Sequence, residues 1–140
     1  MIQTRTLYFE DVTVGETAET PGMTVTETHA SLYRGLSGDT AAAPEAVPEL
    51  LPLCLATGLG WRIARPSLVI LAFMGIEWEI VQPLTVGDTI HGRSRAVAKR
   101  AMRDGGLLVE EHEIVDQRGE VIQRGRFSFL VAKRPTAGAA

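Results

Sequence analysis

The sequence predicts an α+β fold in which an antiparallel sheet wraps around one buried helix. One observation behind this prediction is an almost unbroken apolar run from Leu50 to Ile63, because a helix that is apolar on every face is buried on every face. The other is a series of strand-like segments between residues 68 and 133, separated by turn sequences such as Arg103–Gly106, which is typical of strands joined by hairpins. One small sheet leaves part of such a helix uncovered, so we expect a dimer whose second subunit completes the cover.

The composition is that of one globular domain. The chain has 140 residues, of which 45% are hydrophobic and 22% charged, and this length suits a single core. We therefore expect one domain over residues 1–133 and a frayed tail over residues 134–140. A formal net charge of −3 argues against a nucleic-acid partner held by bulk positive charge.

Cysteine and histidine usage argues against disulfide and metal chemistry. The chain has one Cys, and its three His residues lack the spacing of paired metal ligands, so no metal and no cofactor are expected. Arg62 and Arg65 interrupt the longest apolar run, which leaves no stretch of the ~20 residues that span a bilayer. The N-terminus has no apolar stretch like that of a signal peptide, and the expected location is the cytoplasm, with no membrane partner.

The first part of the chain predicts a strand and a short helix. β-Branched residues predict a strand over Gly22–Thr26. A short helix is predicted over residues 29–36, with Thr26 or Thr28 supplying the oxygen that caps its free amides. Ser37-Gly38-Asp39 ends this helix, and the four alanines and two prolines of Thr40–Pro48 predict a short connection.

The main helix is predicted over Glu49–Arg65. Pro52 is tolerated in the first turn of a helix, which places the start near Glu49, and Pro66 ends it. Gly58 and Gly60 weaken a helix, so their presence predicts the close approach of another element. Cys54 lies inside the apolar run and is interpreted as a buried structural thiol rather than a nucleophile.

Four strands are predicted after the helix. The first alternates cleanly, with Ile76, Trp78 and Ile80 on one face and acids on the other. In the last strand, Phe127, Phe129 and Val131 are expected to point inward. The predicted strands are Leu68–Pro83, Thr89–Met102, Leu107–Val115 and Glu120–Lys133, with turns at residues 84–88, 103–106 and 116–119.

Several stretches in this order and spacing carry a resemblance to a known family. The chain resembles the MaoC-like (R)-specific enoyl-CoA hydratases and dehydratases, a branch of the hotdog-fold superfamily. The resemblance extends over nearly the whole chain. It is carried by Tyr8–Asp11 with Val14-Gly15, Thr24–Glu27, Leu36-Ser37-Gly38-Asp39, Leu50–Leu59, Ala72–Trp78, Pro83 and Val86–Ile90.

The resemblance implies a dimeric lyase that acts on an acyl thioester. The thioester would be carried by coenzyme A or by an acyl carrier protein, and the dimer would be a homodimer or a heterodimer with another hotdog subunit. Hydration of an enoyl thioester requires an acid and a base working on one water. It also requires an amide donor for the enolate-like oxygen.

This chain departs from the family motif at most of its chemical positions. Asp39 is retained, but Ala41 stands in the place of the motif's Asn and Pro44 in the place of its His. Pro48-Glu49 stands where the family has a His-Gly pair. The candidates for acid–base chemistry are therefore Asp39, Glu45 and Glu49, and the Glu49 amide is a candidate oxyanion donor at a helix N-terminus.

Each candidate also has a purely structural interpretation. Asp39 is equally interpreted as a residue of a helix-ending turn, and Glu45 and Glu49 as solvated acids. Tyr33, Gly38 and Thr40 are the predicted substrate contacts, although Tyr33 also suits packing. The remaining polar candidates are His29, His91 and His112, interpreted as surface residues, and Arg93, Arg95, Lys99 and Arg100, interpreted as a solvated face or as a phosphate contact.

Three functions compete at this level. The first is a hydratase or dehydratase with a non-standard active site that keeps Asp39. The second is a non-catalytic hotdog subunit or acyl-binding partner, favoured by the missing Asn and His. The third is a divergent thioesterase, dehydratase or cyclase of a specialised biosynthetic pathway, favoured by the short connection over Thr40–Pro48.

Overall fold

A computed structural model describes residues 5–40 and 43–137 of the protein. Ala41, which bears on the family motif, and residues 138–140 of the predicted tail lie outside the described residues. The described elements are a 3₁₀ turn at Phe9–Asp11, strands β1 (Thr17–Glu19) and β2 (Met23–Thr24), helices α1 (Glu27–Ser37) and α2 (Leu51–Gly60), and strands β3 (Ile70–Ile80), β4 (Thr89–Met102), β5 (Gly105–Val115) and β6 (Val121–Val131).

The strands form an antiparallel sheet in the order β1-β4-β5-β6-β3, and β2 also pairs with β4. Strands β4, β5 and β6 are neighbours in the sheet and are joined by hairpins. Strand β3 precedes them in the chain and pairs with the other side of β6. The predicted sheet and its four long strands are confirmed. Neither β1 nor the small size of β2 was expected, because the weak alternation before Thr26 carries little strand signal.

The turn between β5 and β6 is built around one buried carboxylate. Asp116 is 1% exposed, and its Oδ1 accepts the backbone N–H groups of Arg118 at 2.9 Å and Glu120 at 3.0 Å. Gly119 supplies the left-handed backbone, with φ of 81°. The turn predicted at residues 116–119 is therefore confirmed, and Asp116 is what holds it.

Helix α1 begins and ends as its sequence predicts, within two residues. The Thr26 hydroxyl accepts the His29 amide, and the His29 ring nitrogen Nδ1 accepts the Thr26 amide at 3.0 Å, so both residues cap the helix. His29 is thus used in capping rather than being a free surface residue. Gly38 ends the helix with a left-handed φ of 72°, a conformation that glycine adopts without steric cost.

Helix α2 is shorter than predicted. It ends at Gly60, five residues before Arg65, and the Trp61 amide already bonds to the Gly58 carbonyl in a tighter turn. Two glycines in the last three helical positions lower the helix propensity where nothing else supports it. Its start agrees better with the prediction, because Pro52 lies in the first turn.

The prediction that α2 is buried on every face is wrong for the single chain. Trp61, at the end of the helix, is 77% exposed, and Cys54, predicted to be buried, is exposed. Among the described residues, a side-chain carbon added at Gly58 or Gly60 would meet no atom within 4 Å, so the predicted close approach of another element to these glycines is not found there. One chain supplies a sheet for one face of α2 only, and the opposite face remains uncovered.

The core consists of two clusters on the sheet. The first lies between the sheet, α1 and α2, and the second lies beneath the 3₁₀ turn. The first contains Val25, Ala30, Val47, Leu51, Leu84, Ile90, Ile114 and Ile122, and the second contains Phe9, Val12, Ala96, Leu108 and Val131.

The chain after β6 is not free at its beginning. The Arg134 amide donates to the Glu10 carboxylate at 2.9 Å, and the Arg134 guanidinium pairs with Asp11. The prediction of a frayed tail from residue 134 is therefore wrong at Arg134. These contacts also hold the pKa values of Glu10 and Asp11 below their ordinary range, chiefly through backbone hydrogen bonds from Arg134 and Tyr8 respectively.

Candidate functional site

Asp39, the acid–base candidate named from the family resemblance, follows the end of α1. Gly38 turns the chain out of the helix, and the next residue is Asp39, which is half-buried. The Asp39 amide donates to the Ser37 hydroxyl oxygen at 3.1 Å, which fixes the backbone at this position. The carboxylate therefore belongs to a compact, glycine-capped helix end.

An arginine ties this helix end to the connection that follows. The Arg34 guanidinium (Nη2) donates to the carbonyl oxygens of Ala43 at 3.1 Å and Ala46 at 2.7 Å. Among the described residues its buried Nε atom has no hydrogen-bond partner. Arg34 was not singled out in the sequence, although it is the only cation of a helix otherwise made of small, apolar and acidic residues with one His.

The connection is also bound to the turn between β3 and β4. The Val47 amide donates to the Leu84 carbonyl at 3.1 Å, and the Val86 amide donates to the Glu45 carbonyl at 2.9 Å. Ala46 and Thr85 form an isolated β-bridge. The segment from Ala43 to Val47 is thus an ordered strap between α1 and the sheet, while the Glu45 residue is exposed.

A cavity of about 250 Å³ opens beside the start of α2. Glu49 is the predicted site residue that contributes to its wall, and the other five candidates (Tyr33, Gly38, Asp39, Thr40 and Glu45) are not among the lining residues. Six of the nine lining residues are apolar, and the other three carry polar side chains. The lining is Val47, Glu49, Pro52, Ile80, Val81, Gln82, Pro83, Leu84 and Gln123.

One buried polar side chain of this cavity was missed in the sequence. Gln123 is 2% exposed, its Nε2 donates to the Glu49 carbonyl at 2.6 Å, and its Oε1 accepts the Trp78 indole N–H at 2.9 Å. Gln123 is a polar residue at an inward position of a strand, and the sequence pattern does not reveal which partner it meets across the core. The start of α2 is therefore bonded directly to the sheet.

The other residues predicted from the family resemblance lie in different surroundings. Tyr33 packs against the first core cluster, in keeping with its packing interpretation. Thr40 and Pro44 are exposed, and Glu49 lies in the turn before α2 rather than in its first helical residue. Of the backbone groups at this helix start, the Leu51 amide already donates to the Pro48 carbonyl at 3.1 Å.

The arginines of β4 are engaged with acids on the outer face of the sheet. Arg93 pairs with Glu113 at 2.7 Å and Arg95 with Glu111 at 3.1 Å. Glu111 also pairs with Arg126 at 3.1 Å, and the hydrogen bonds from Arg95 and Arg126 lower the pKa of this carboxyl group. Such exposed pairs contribute little stability, and they agree with the interpretation of Arg93 and Arg95 as part of a solvated face, while a phosphate contact by these residues stays a prediction.

The other two cations of that predicted row have different surroundings. Lys99 donates to the Val12 carbonyl at 2.7 Å and lies 4.9 Å from the centre of the Phe9 ring, so it anchors the N-terminal segment. Arg100 is exposed. The four residues do not form one basic face.

His112 is not the solvated residue that was predicted. Its side chain is 25% exposed, its ring stacks on Phe127 with 4.1 Å between centres, and its Nε2 lies 3.5 Å from the Glu110 carboxylate. Phe127 points inward as predicted and is surrounded by Phe73, Trp78 and Phe129 at ring distances of 5.6 to 6.0 Å. His91, at the start of β4, is half-buried.

The described parts of the chain, residues 5–40 and 43–137, contain no group of three His, Cys, Asp or Glu side chains that could hold a metal ion. Within the same ranges no helix has the length and apolar character needed to cross a bilayer.

Three solved structures similar to this chain share its architecture over most of their length. The monoamine oxidase regulatory protein from Archaeoglobus fulgidus matches with a TM-score of 0.86 and 28% identity, over 96% of this chain and 100% of that one. The MaoC-like dehydratase from Rhodospirillum rubrum matches with a TM-score of 0.77 and 20% identity, over 93% and 99% of the two chains. The (R)-hydratase PhaJ1 from Pseudomonas aeruginosa matches with a TM-score of 0.73 and 16% identity, over 91% and 86%.

A protein from Mycobacterium tuberculosis described as having a double hotdog fold also matches, with a TM-score of 0.74 and 17% identity, over 96% of this chain and 46% of that one. No family model and no curated protein sequence matches the chain. The antiparallel sheet, the helix packed on it and these structural similarities agree with the predicted fold. The chain therefore has the hotdog fold, and its similarity is to the MaoC-like dehydratases and (R)-hydratases.

Proposed function

We propose that the protein is a hydratase- or dehydratase-type lyase that acts on an acyl thioester carried by coenzyme A or an acyl carrier protein. The observation that carries the proposal is the retention of Leu36-Ser37-Gly38-Asp39, with its glycine-capped helix end, in a chain that matches a MaoC-like dehydratase over 93% of its length. Asp39 is the proposed acid–base group that survives from the family motif.

Glu49 is the second proposed group. Glu45 and Glu49 are both exposed, but Glu49 contributes to the cavity beside α2 and Glu45 does not belong to its lining. A cavity lined by apolar side chains and a few polar groups is the usual kind of site for a small organic ligand. This difference supports Glu49 over Glu45 as the proton-transfer partner.

The chemistry needs two proton transfers and one stabilised oxygen. In hydration, a carboxylate removes a proton from water, the resulting hydroxide equivalent attacks the β carbon of the enoyl thioester, and the second carboxyl group delivers a proton to the α carbon. Negative charge develops on the thioester oxygen between these steps, and a backbone N–H near Glu49 is the proposed donor to it. Dehydration is the same sequence in reverse.

The test is the conversion of crotonyl-CoA, followed by the loss of enoyl absorbance. We expect turnover by the wild-type protein and a fall of at least about 100-fold in kcat for Asp39→Asn and for Glu49→Gln, the scale of general acid–base catalysis. Glu27→Gln serves as the control, because Glu27 is an exposed acid in the first turn of α1. Normal rates in both Asp39→Asn and Glu49→Gln contradict the proposed roles.

Glu45→Gln separates the two glutamates. A loss of turnover in Glu45→Gln together with normal turnover in Glu49→Gln would assign the second role to Glu45. A loss in Glu49→Gln alone supports the assignment made from the cavity.

The active form is proposed to be a homodimer. Strand β3 is the last strand of the sheet, and the six of its apolar residues that are exposed in one chain (Ile70, Leu71, Phe73, Met74, Ile76 and Ile80) mark its free border. A second copy that adds its own β3 to this border would bury apolar surface on both chains. Light scattering of the purified protein tests this, and a monomer at micromolar concentration would contradict it.

The alternative function is a non-catalytic hotdog subunit that binds an acyl chain or pairs with an active partner. Pro44 favours it, because this exposed residue stands at the motif position of the His and carries no group that can exchange a proton. Co-expression with a second hotdog chain distinguishes the two. A stable heterodimer without turnover by this chain alone supports the alternative, and a homodimer with turnover rejects it.

A further inference from the structure

A buried polar relay joins the edge strand to the start of α2. The Trp78 indole N–H donates to the Gln123 Oε1 at 2.9 Å, and the Gln123 Nε2 donates to the Glu49 carbonyl oxygen at 2.6 Å. We propose that Gln123 and Trp78 are positioning residues that fix the start of α2, and with it the proposed thioester site. This inference rests on the proposed function, because it deepens the description of the same site.

The relay requires at position 123 a side chain that both accepts and donates, and glutamine does so. The indole nitrogen of Trp78 only donates, and the carbonyl of Glu49 only accepts, so the group between them must accept on one side and donate on the other. A primary amide does both. An ionised glutamate has no donor for the carbonyl, and an apolar side chain leaves a buried donor and a buried acceptor without partners.

The start of α2 needs this external support. Its N-cap residue, Leu50, makes no side-chain capping bond, and Pro52 in the first turn has no amide hydrogen. Helices begin more commonly with a Ser, Thr, Asp or Asn side chain that accepts a free amide. The bond from Gln123 goes to the Glu49 carbonyl and so does not replace such a cap. It holds the peptide before α2 from the sheet, by a side chain that is 2% exposed.

The relay ends at the cavity to which Glu49, one of the two proposed acid–base residues, contributes. Gln123 and Glu49 both line this cavity of about 250 Å³. Displacement of a reacting group by ~1 Å costs a catalyst roughly 100-fold in rate, so a bond that fixes the Glu49 peptide affects turnover without contacting the reacting atoms. Because Trp78 lies in β3, the relay also connects the free border of the sheet to the site.

The test compares Gln123→Met, which keeps the length of the side chain and removes both polar groups, with Leu108→Val, a buried control in the second core cluster. The two readouts are hydrogen–deuterium exchange over residues 50–55 and crotonyl-CoA kinetics, both well below the unfolding temperature. We expect Gln123→Met to raise exchange in this segment and to lower kcat by about tenfold, with KM changed less than threefold. Leu108→Val is expected to leave both readouts unchanged, even if it lowers the Tm as much as Gln123→Met does.

Trp78→Phe provides a graded second variant. It removes the indole donor and keeps the bond from Gln123 to Glu49, so its effect on exchange and kcat should be smaller than that of Gln123→Met and in the same direction. An effect equal to that of Leu108→Val at matched Tm would show a general packing role and overturn the proposal.

The failure of this inference is distinct from the failure of the proposed function. Unchanged exchange over residues 50–55 in Gln123→Met overturns the positioning role, whatever the activity, and so does a normal kcat in an active protein. A wild-type protein that does not turn over any enoyl thioester contradicts the proposed function. In that case exchange alone decides the relay, with faster exchange supporting it.

Discussion

The two edges of the sheet differ in length and in chemistry. The β1 edge is three residues long, Thr17–Glu19, and its two end residues are polar and exposed. The β3 edge is eleven residues long, Ile70–Ile80, and its exposed residues are mostly apolar. Just before β3, Leu7 forms a parallel bridge with Leu68, so the N-terminal segment covers the approach to that edge but not the strand itself.

This difference indicates which edge meets water and which meets protein. Short polar edge strands are a common protection against pairing with other chains, whereas long apolar edges offer backbone groups and side chains to a further strand. The β1 edge therefore suits contact with water and needs no strand from another chain. The β3 edge fits the proposed pairing with a second copy. The following experiments test that contrast, starting with the largest expected effect.

Glycines beside the two edges should respond very differently to an added methyl group. A side-chain carbon at Gly125, next to β3, would lie 1.9 Å from the Glu77 carbonyl oxygen, whereas one at Gly92, next to the β1 edge, would lie 3.3 Å from a methyl group of Thr20. We expect Gly125→Ala to lower the free energy of unfolding by about 3 kcal/mol or more, because a backbone atom must move. Gly92→Ala should change it by less than ~1 kcal/mol.

Urea denaturation of the two variants measures these changes in the free energy of unfolding. Equal losses in Gly125→Ala and Gly92→Ala would contradict the close packing of β3 against β6. Expression of Gly125→Ala only as insoluble protein, beside a soluble Gly92→Ala, would agree with the expected order.

A charge in the middle of β3 should break the dimer that we propose. Met74 is 54% exposed and lies where the β3–β6 register shifts, between Phe73 and Gly75. We expect Met74→Asp to weaken dimerisation by at least about 100-fold, because an interface of ordinary size would have to bury the new carboxylate. Sedimentation velocity over a range of concentrations measures this.

Thr17→Asp is the matched control, since it places the same charge on the exposed β1 edge. It should leave the sedimentation coefficient unchanged. Dissociation of the dimer by Thr17→Asp but not by Met74→Asp would place the interface at the β1 edge and contradict the proposed pairing through β3.

The smallest expected effect is a dependence of stability on pH. It arises at two turns, residues 116–119 between β5 and β6 and residues 84–88 between β3 and β4. Burial raises the pKa of Asp116, but hydrogen bonds from the Glu120 and Arg118 amides and from the Arg118 guanidinium outweigh it, so the pKa lies below its ordinary value of 3.8. Gln117, in the same turn, donates to Asp88 at 2.8 Å, and this bond, with that of the Thr85 amide, lowers the pKa of Asp88 as well. The stability of each turn therefore depends on an ionised carboxylate, that of Asp116 in one and that of Asp88 in the other.

The sign of this dependence follows from the lowered pKa values. A carboxyl group whose pKa is lower in the folded than in the unfolded protein stabilises the fold above its unfolded pKa, and this stabilisation is lost as the pH falls through the folded pKa. We expect urea midpoints to fall between pH 5 and pH 3 in the wild type, and to fall less steeply in Asp116→Asn. Asp104→Asn, in the exposed β4–β5 turn, should keep the wild-type slope, and a wild-type slope in Asp116→Asn would contradict the role of this carboxylate.

The local elements could be predicted because their signals lie within a few residues. Thr26 and Gly38 mark the ends of α1 in the sequence as they do in the structure. The alternation of Ile76, Trp78 and Ile80, and the turn at residues 116–119, likewise predict β3 and the β5–β6 hairpin. Capping, turn chemistry and period-two alternation are local properties, so a single sequence carries them.

The surroundings of α2 could not be predicted in the same way. Its composition correctly indicates that it packs on a sheet, but not that Cys54 and Trp61 remain exposed in one chain. Hydrophobicity describes how a side chain responds to burial, whereas the cover itself is supplied by other elements or by another chain. The same limitation explains why His112 was expected to be solvated, since its stacking on Phe127 depends on a neighbouring strand.

Some residues of the candidate site were named from the sequence, and others were found only in the structure. Asp39, Glu45, Glu49, Gly38, Thr40 and Tyr33 were predicted from the motif and its departures, and their roles in substrate binding and proton transfer remain predictions. Arg34 and Gln123 were missed, because their partners, the Ala43 and Ala46 carbonyls and the Glu49 carbonyl, are backbone groups brought near by the fold. A backbone carbonyl has no signature in the sequence.

The sequence by itself determined an antiparallel sheet packed on an apolar helix, the order of the main elements and the position of Asp39 after a capped helix, and its resemblance to the MaoC-like family implied the hotdog fold. These depend on hydrophobic period, turn residues and a motif, all of which are readable along the chain. Only the tertiary structure decided that the β3 edge is long and apolar, that Glu49 rather than Glu45 lines a cavity, and that Gln123 holds the start of α2. Those facts depend on which residues distant in sequence meet in space, and on which surfaces a single chain leaves uncovered.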